Sequence, residues 1–384
     1  MDTIVIESKL PHVGTTIFTR MSALADECDA LNLSQGFPDF DAPEALRESL
    51  ARHVMAGHNQ YAPMAGVMQL REQLATQLML HRQVHSDPDT EITVVPGATE
   101  GIFCAVMACV RPGDEVIVFD PCYDSYPPAV ELAGGRAIHV PLTPGSFALD
   151  RDALEAALSQ RTRLIMINSP HNPTGSTLSK SDMLYLETLV EQRNLLVLSD
   201  EVYEHLVFDN GRHHSALQFP ALRARSFVLF SFGKTFSVTG WKTGYCVAPA
   251  KLTAEMRKVH QFVSFVAVTP VQLALADFLA AEPDYPATLA GFYQRKRDLF
   301  CEALHNSRFK LTPSSGTYFQ LLDYSAICEA PDTELCEQWT RQHGIASIPI
   351  SIFYEQPPQQ HFLRFCVAKN DQVLQAAAER LCKI

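Results

Sequence analysis

The run from Ser231 to Gly244 holds one lysine, Lys234, in a turn that follows the apolar, strand-like stretch Phe227–Phe230. A hydroxyl lies three residues before it, at Ser231, and a second cation, Lys242, eight residues after it. Apolar walls and a neighbouring positive charge both disfavour the ammonium form of a lysine. The neutral amine is a nucleophile that condenses with aldehydes. Ser231 and Lys242 are suited to a phosphate. An aldehyde and a phosphate on one molecule describe pyridoxal 5'-phosphate (PLP). A lone lysine is more often a solvated surface charge, so the other residues have to decide.

Two further segments carry matching chemistry. The loop Ser169–Gly175 contains two prolines and a glycine, which fix a tight turn and aim the Asn172 side chain. In isolation it is equally a plain turn. Asp200 follows the apolar run Leu195–Ser199. An acid there is usually a helix cap or a surface charge, but a carboxylate beside a pyridine nitrogen keeps that nitrogen protonated. Tyr203 is placed to share the 3'-oxygen of such a ring with Asn172.

The elements that must position these groups alternate from about residue 91. Strand-like runs are expected at Ile92–Val95, Glu115–Phe119, Arg136–Val140, Leu164–Asn168, Leu195–Ser199, Phe227–Phe230 and Tyr245–Ala248. Helical spacing lies between them at Ala98–Val110, Ser125–Leu132, Asp152–Leu158 and Ser181–Arg193. Short β runs alternating with helices predict an α/β unit with a mainly parallel sheet. Ligands of such sheets bind beyond the carboxyl ends of the strands. Gly97, Asp120, Asn168, Asp200 and Ser231 close five of these runs and are expected at one shared site. The tail differs, with a long charged helix over 284–306, β-like runs at 317–322 and 362–367, and a final helix over 372–381. It reads as a smaller α+β domain. The expected division is a segment 1–40 packing beside that domain, a large domain 41–283, and the small domain 284–384.

The order Asn172, Asp200, Tyr203, Lys234, each at a strand end, resembles the fold-type I PLP-dependent enzymes of the class I and II aminotransferase family. The resemblance covers nearly the whole chain. It implies a parallel central sheet with helices on both faces, a homodimer with shared sites, and a ping-pong transfer of an amino group from an amino acid to a 2-oxo acid. Residue by residue it implies Lys234 as the cofactor-binding lysine and base, Asp200 at the ring nitrogen, and Asn172 and Tyr203 at the ring oxygen. Gly97, Ala98 and Thr99 would cup the phosphate at a helix N-terminus, with Ser231 and Lys242. Tyr123 would stack on the ring, and Tyr61 would reach the phosphate of the neighbouring subunit. Arg364 would bind the substrate α-carboxylate, a natural partner for a lone arginine between apolar residues. Gly36 would bring its backbone to the same carboxylate, and Phe18 would form part of the substrate wall.

Lys242 stands where much of the family has arginine, and this resembles the kynurenine aminotransferase and glutamine transaminase K branch. Ala98-Thr99, and Phe18 where that branch often has tryptophan, depart from it. The stretches 16–40 and 231–249 are similar to bacterial methionine aminotransferases. The stretch Phe262–Pro270 has no cation to receive a distal carboxylate. Methionine, aromatic or kynurenine-like amino acids are therefore expected over aspartate. Two alternatives stay open at this stage: a cysteine-S-conjugate β-lyase, and a PLP-binding regulator without catalysis.

Bulk composition narrows the classes further. The 384 residues exceed one ordinary core, with 47% hydrophobic and 19% charged residues. A net charge of -12 offers no basic stripe for nucleic acid and no polybasic patch for a membrane. The segment Met1–Leu10 lacks the apolar run of a signal peptide. The ten cysteines lack C-x-x-C spacing and read as core residues of a reducing compartment, with no metal site. A cytoplasmic location is expected.

Overall fold

The computed structural model describes residues 6–384; the first five residues of the expected 1–40 segment, and half of the Met1–Leu10 stretch, lie outside them. Seven strands form the main sheet, in the order Ile92–Val95, Gly244–Val247, Ser226–Ser231, Leu196–Asp200, Thr162–Asn168, Glu115–Asp120, Arg136–Pro141. All pairings are parallel except those of Gly244–Val247, which runs antiparallel to both neighbours.

The apolar runs become these strands because both sheet faces are covered. Successive side chains point to opposite faces. Val116, Val118, Leu164, Met166, Leu198, Phe227 and Leu229 enter one core, together with Ile102 and Ala105 of the helix Ala98–Cys109. Ile117, Phe119, Ile165, Ile167, Val197, Val228 and Phe230 enter the other, where the helices Met68–Arg82 and Lys180–Arg193 pack. The latter helix opens on a capping box between Ser179 and Asp182. The helices Ala250–Val263 and Thr269–Ala281 lie outside the alternating pattern read above.

Towards the C-terminus, the helix Tyr285–Ala303 leads to a three-stranded antiparallel sheet. Its order is Ile348–Pro349, Phe362–Cys366, Phe319–Asp323. The helices Asp332–His343 and Asp371–Leu381 complete this end. The pair Leu31–Asn32 joins it in parallel register, Leu31 opposite Ile345. No described helix is long and apolar enough to cross a membrane.

Candidate active site

Four strand ends of the main sheet meet around one cavity of about 190 Å³. Gly97, Ala98, Thr99, Tyr123, Asn172, Asp200, Tyr203, Ser231, Lys234 and Lys242 all line it, as does Asn168. The structure thus brings together ten of the expected site residues from six separate stretches of chain. Asp120 corrects the expectation of five strand ends at one site. Its carboxylate turns away, 2.7 Å from His139 Nδ1, and accepts the Glu355 N–H at 2.9 Å. Its neighbour Tyr123 supplies that edge of the cavity instead.

Lys234 sits in the one-turn helix Phe232–Thr235 directly after its strand. Its Nζ donates to the Gly36 carbonyl at 3.0 Å and lies 5.7 Å from the ring centres of Tyr203 and Tyr318. Burial lowers its pKa to about 8, with Arg364 and Lys242 pushing the same way and Cys366 and Asp200 opposing. The site therefore holds a lysine that sheds its proton readily.

Asp200 is buried at the end of its strand. Burial raises its pKa to about 6, although the Tyr126 hydroxyl, the Val202 amide and the charge of Lys234 pull it down. Tyr126 O–H donates to Oδ2 at 2.6 Å, and Val202 N–H to Oδ1 at 3.3 Å. Burial likewise keeps the Tyr203 phenol well above its ordinary pKa.

Asn172 is aimed by its own loop: its N–H donates to Asn168 Oδ1 at 2.8 Å. Its Oδ1 accepts from Arg364 Nη1 at 2.8 Å. Arg364 is fully buried on the strand Phe362–Cys366, with Nη2 bonded to the Ser34 carbonyl at 3.0 Å and Nε without any partner. Its guanidinium lies 4.0 Å from the Phe319 ring centre and 5.3 Å from that of Phe18. The protein salt bridge that would make it purely structural is not formed with any described residue. A buried guanidinium with an unused donor is chemically suited to pair with a carboxylate. Gly36 comes this close because it lacks a Cβ, which would stand 2.9 Å from the Phe319 ring; its carbonyl also accepts the Tyr318 hydroxyl at 2.6 Å.

The opposite end of the cavity has the groups that suit an anion. Gly97, at φ +82, opens the helix Ala98–Cys109 with no side chain capping its first amides. A Cβ there would lie 3.4 Å from Lys242 Nζ. Gly244 must also be glycine, since its Cβ would fall 2.4 Å from the Phe230 carbonyl and 3.1 Å from the Ala98 nitrogen. Uncapped amides, the Ser231 hydroxyl and Lys242 at one end, a buried acid in the middle and an unusually acidic lysine fit a phosphate-bearing pyridine aldehyde.

Tyr61 does not enter this cavity. It is 83% exposed and meets the edge of Phe265 at 5.6 Å. Phe262 and Val268, on the same stretch of chain as Phe265, are exposed as well. Sequence reasoning missed Tyr126, Tyr318 and Phe353. Tyr126 had a signal, standing one helical turn beyond Tyr123 at a strand end; Tyr318 and Phe353 had none, because only folding brings the C-terminal region here.

Comparison with known proteins agrees with this geometry. Residues 29–381 match the model of the family described as aminotransferase class I and II. The chain is 50% identical to methionine aminotransferase of Escherichia coli K12 over 98% of its own length and 97% of that protein's. It superposes with a TM-score of 0.97 on an E. coli crystal structure, 49% identical with both chains fully covered, that is credited with a methionine aminotransferase function. The N-succinyldiaminopimelate aminotransferase of Mycobacterium tuberculosis superposes with a TM-score of 0.95 at 40% identity, over 99% of this chain and 100% of that one. Human kynurenine–oxoglutarate transaminase 1 is 33% identical over 94% of this chain and 93% of its own. The chain belongs to the class I and II aminotransferase family.

Proposed function

We propose that this protein is a PLP-dependent aminotransferase that takes the amino group of a neutral, apolar amino acid, methionine above all, and passes it to a 2-oxo acid. The observation that carries the reading is the pairing, in one cavity, of a lysine with pKa near 8 and a buried Asp200, next to the Asn172–Arg364 contact.

PLP, when bound, supplies the aldehyde that takes up the amino group and a ring that withdraws electrons from the substrate Cα. Gly97, Ala98, Thr99, Ser231 and Lys242 would hold its phosphate, Asp200 its ring nitrogen, Asn172 and Tyr203 its 3'-oxygen, and Tyr123 one ring face. Lys234 would hold the cofactor at rest, and its amine, once free and neutral, would take the proton from the substrate Cα and deliver it to the cofactor carbon that carried the aldehyde. Arg364 orients the α-carboxylate so that the Cα–H bond faces that amine. The cations lining the cavity are Lys234 and Lys242, and both have these duties. That leaves no charge for a distal carboxylate and favours neutral side chains.

The exposed side chains of Tyr61, Phe262 and Val268 would be covered by a second copy, so that Tyr61 of one chain serves the phosphate of the other. Residues 41–283 form the cofactor domain and 284–384, with 1–40, the smaller one. Ten unpaired cysteines suit the cytoplasm.

The test is a panel of amino acids against several 2-oxo acids, with products identified. Methionine should lead, ahead of N-succinyldiaminopimelate and aspartate. Pyruvate and ammonia released from a cysteine conjugate without any acceptor, at a rate above transamination, would instead indicate a β-lyase.

A further inference from the structure

Asp120 has a task at the site although it does not line it. One of its oxygens is held by His139, which lies on the adjacent strand Arg136–Pro141. The other accepts the Glu355 N–H, and two residues further on Cys122 N–H donates to the Phe353 carbonyl at 2.8 Å. The main sheet thus grips the segment Ser351–Glu355 from the C-terminal part of the chain. The other end of that segment is fixed by Asp332, which accepts the Ser351 N–H at 2.8 Å and its hydroxyl at 2.6 Å. Between the two clamps sits Phe353, 3% exposed, its ring 6.0 Å from Phe18 and 5.8 Å from the Arg364 guanidinium.

We propose that Asp120 is a positioning residue for substrate selection: by holding the Glu355 amide it seats Phe353 against Phe18 as the apolar wall for the substrate side chain. The inference rests on Arg364 as the carboxylate receptor. A substrate anchored there projects its side chain towards the aromatic pair beside the guanidinium. Long, unbranched apolar side chains reach that wall, whereas the methyl group of alanine does not. Loosening the clamp therefore costs the long substrates more than the short one.

The experiment compares Asp120→Ala, Asp120→Asn and Glu355→Pro with wild type in the PLP-loaded enzyme. Proline removes the donated N–H itself and leaves the Asp120–His139 pair intact. Tyr354, at φ -113 and ψ 143, already has the extended conformation that a following proline requires. In Asp120→Ala and Glu355→Pro, kcat/KM for methionine relative to alanine should fall about tenfold, the range of a lost apolar contact in a pocket. Asp120→Asn keeps an acceptor and should restore most of the ratio. Backbone hydrogen exchange across 351–356 should quicken in the first two variants and stay slow in the third. Equal losses for methionine and alanine, or unchanged exchange, overturn the inference and leave the transaminase reading standing. A wild-type enzyme inert towards every amino acid overturns both.

Discussion

The Tyr126 hydroxyl donates a 2.6 Å hydrogen bond to Oδ2 of Asp200, inside a region where both side chains are buried. This bond opposes the burial that lifts the Asp200 pKa to about 6. It keeps a carboxylate, rather than a carboxylic acid, facing the cavity near neutral pH.

Two substitutions separate the parts of that arrangement. On the proposed reading, Asp200→Ala removes the charge partner of the cofactor ring and should cost about 3–5 kcal/mol, the range for a broken buried pair. Turnover should fall by roughly a hundred- to several-thousand-fold, with weaker PLP retention. Tyr126→Phe removes one hydrogen bond to a charged group, about 1.5–3 kcal/mol, and should lower kcat/KM by roughly ten- to a hundredfold. Steady-state kinetics at saturating PLP check both. Full activity in Asp200→Ala would reduce that residue to a structural cap.

Lys234 should give the purified protein a visible band that borohydride abolishes, leaving a mass label on that lysine. Lys234→Ala should retain PLP through its phosphate and lose nearly all transamination. The pH dependence follows from the lowered pKa. Only the neutral amine attacks an aldehyde, so recombination of apoenzyme with PLP should speed up as pH rises and level off above about 8. Stopped-flow absorbance measures this; a plateau reached only near the ordinary lysine value would show that burial does not tune the amine.

Arg364→Ala should reduce kcat/KM for every amino acid by a similar factor, since all share the α-carboxylate. Loss of one member of a buried charge pair costs about 2–5 kcal/mol, or roughly thirty- to several-thousand-fold. Methionine and phenylalanine should outrun aspartate widely in the wild type, because an unpaired distal carboxylate pays a desolvation penalty of several kcal/mol. Aspartate as the best donor would mean that a cation from elsewhere reaches the pocket.

Tyr61→Phe should raise PLP dissociation without changing the melting temperature. Mixing inactive Lys234→Ala with an inactive, more severe Tyr61 variant should recover part of the activity, as one site in a mixed dimer is intact. Absence of rescue after proven subunit exchange would assign each site to a single chain.

The alternation of apolar strands with helices, and the polar residue closing each strand, were legible because they are local. Gly97, Asn168, Asp200 and Ser231 end up together since parallel strands place their carboxyl ends on one edge. Chemistry that depends on residue type, as with Lys234, Asp200 and Asn172, could likewise be read along the chain. Asp120 shows where that reasoning stops: its strand end looks like the others, yet its partner Glu355 comes from 235 positions away. Tertiary structure alone decided that Tyr126 would brace Asp200 and that Gly36 would accept from Lys234. It also left Arg364 with a free Nε beside Phe319 and Phe18, and seated Phe353 near them. These contacts join segments with no periodic relation, and burial, which sets the pKa of Lys234 and Asp200, exists only once those segments have closed over them.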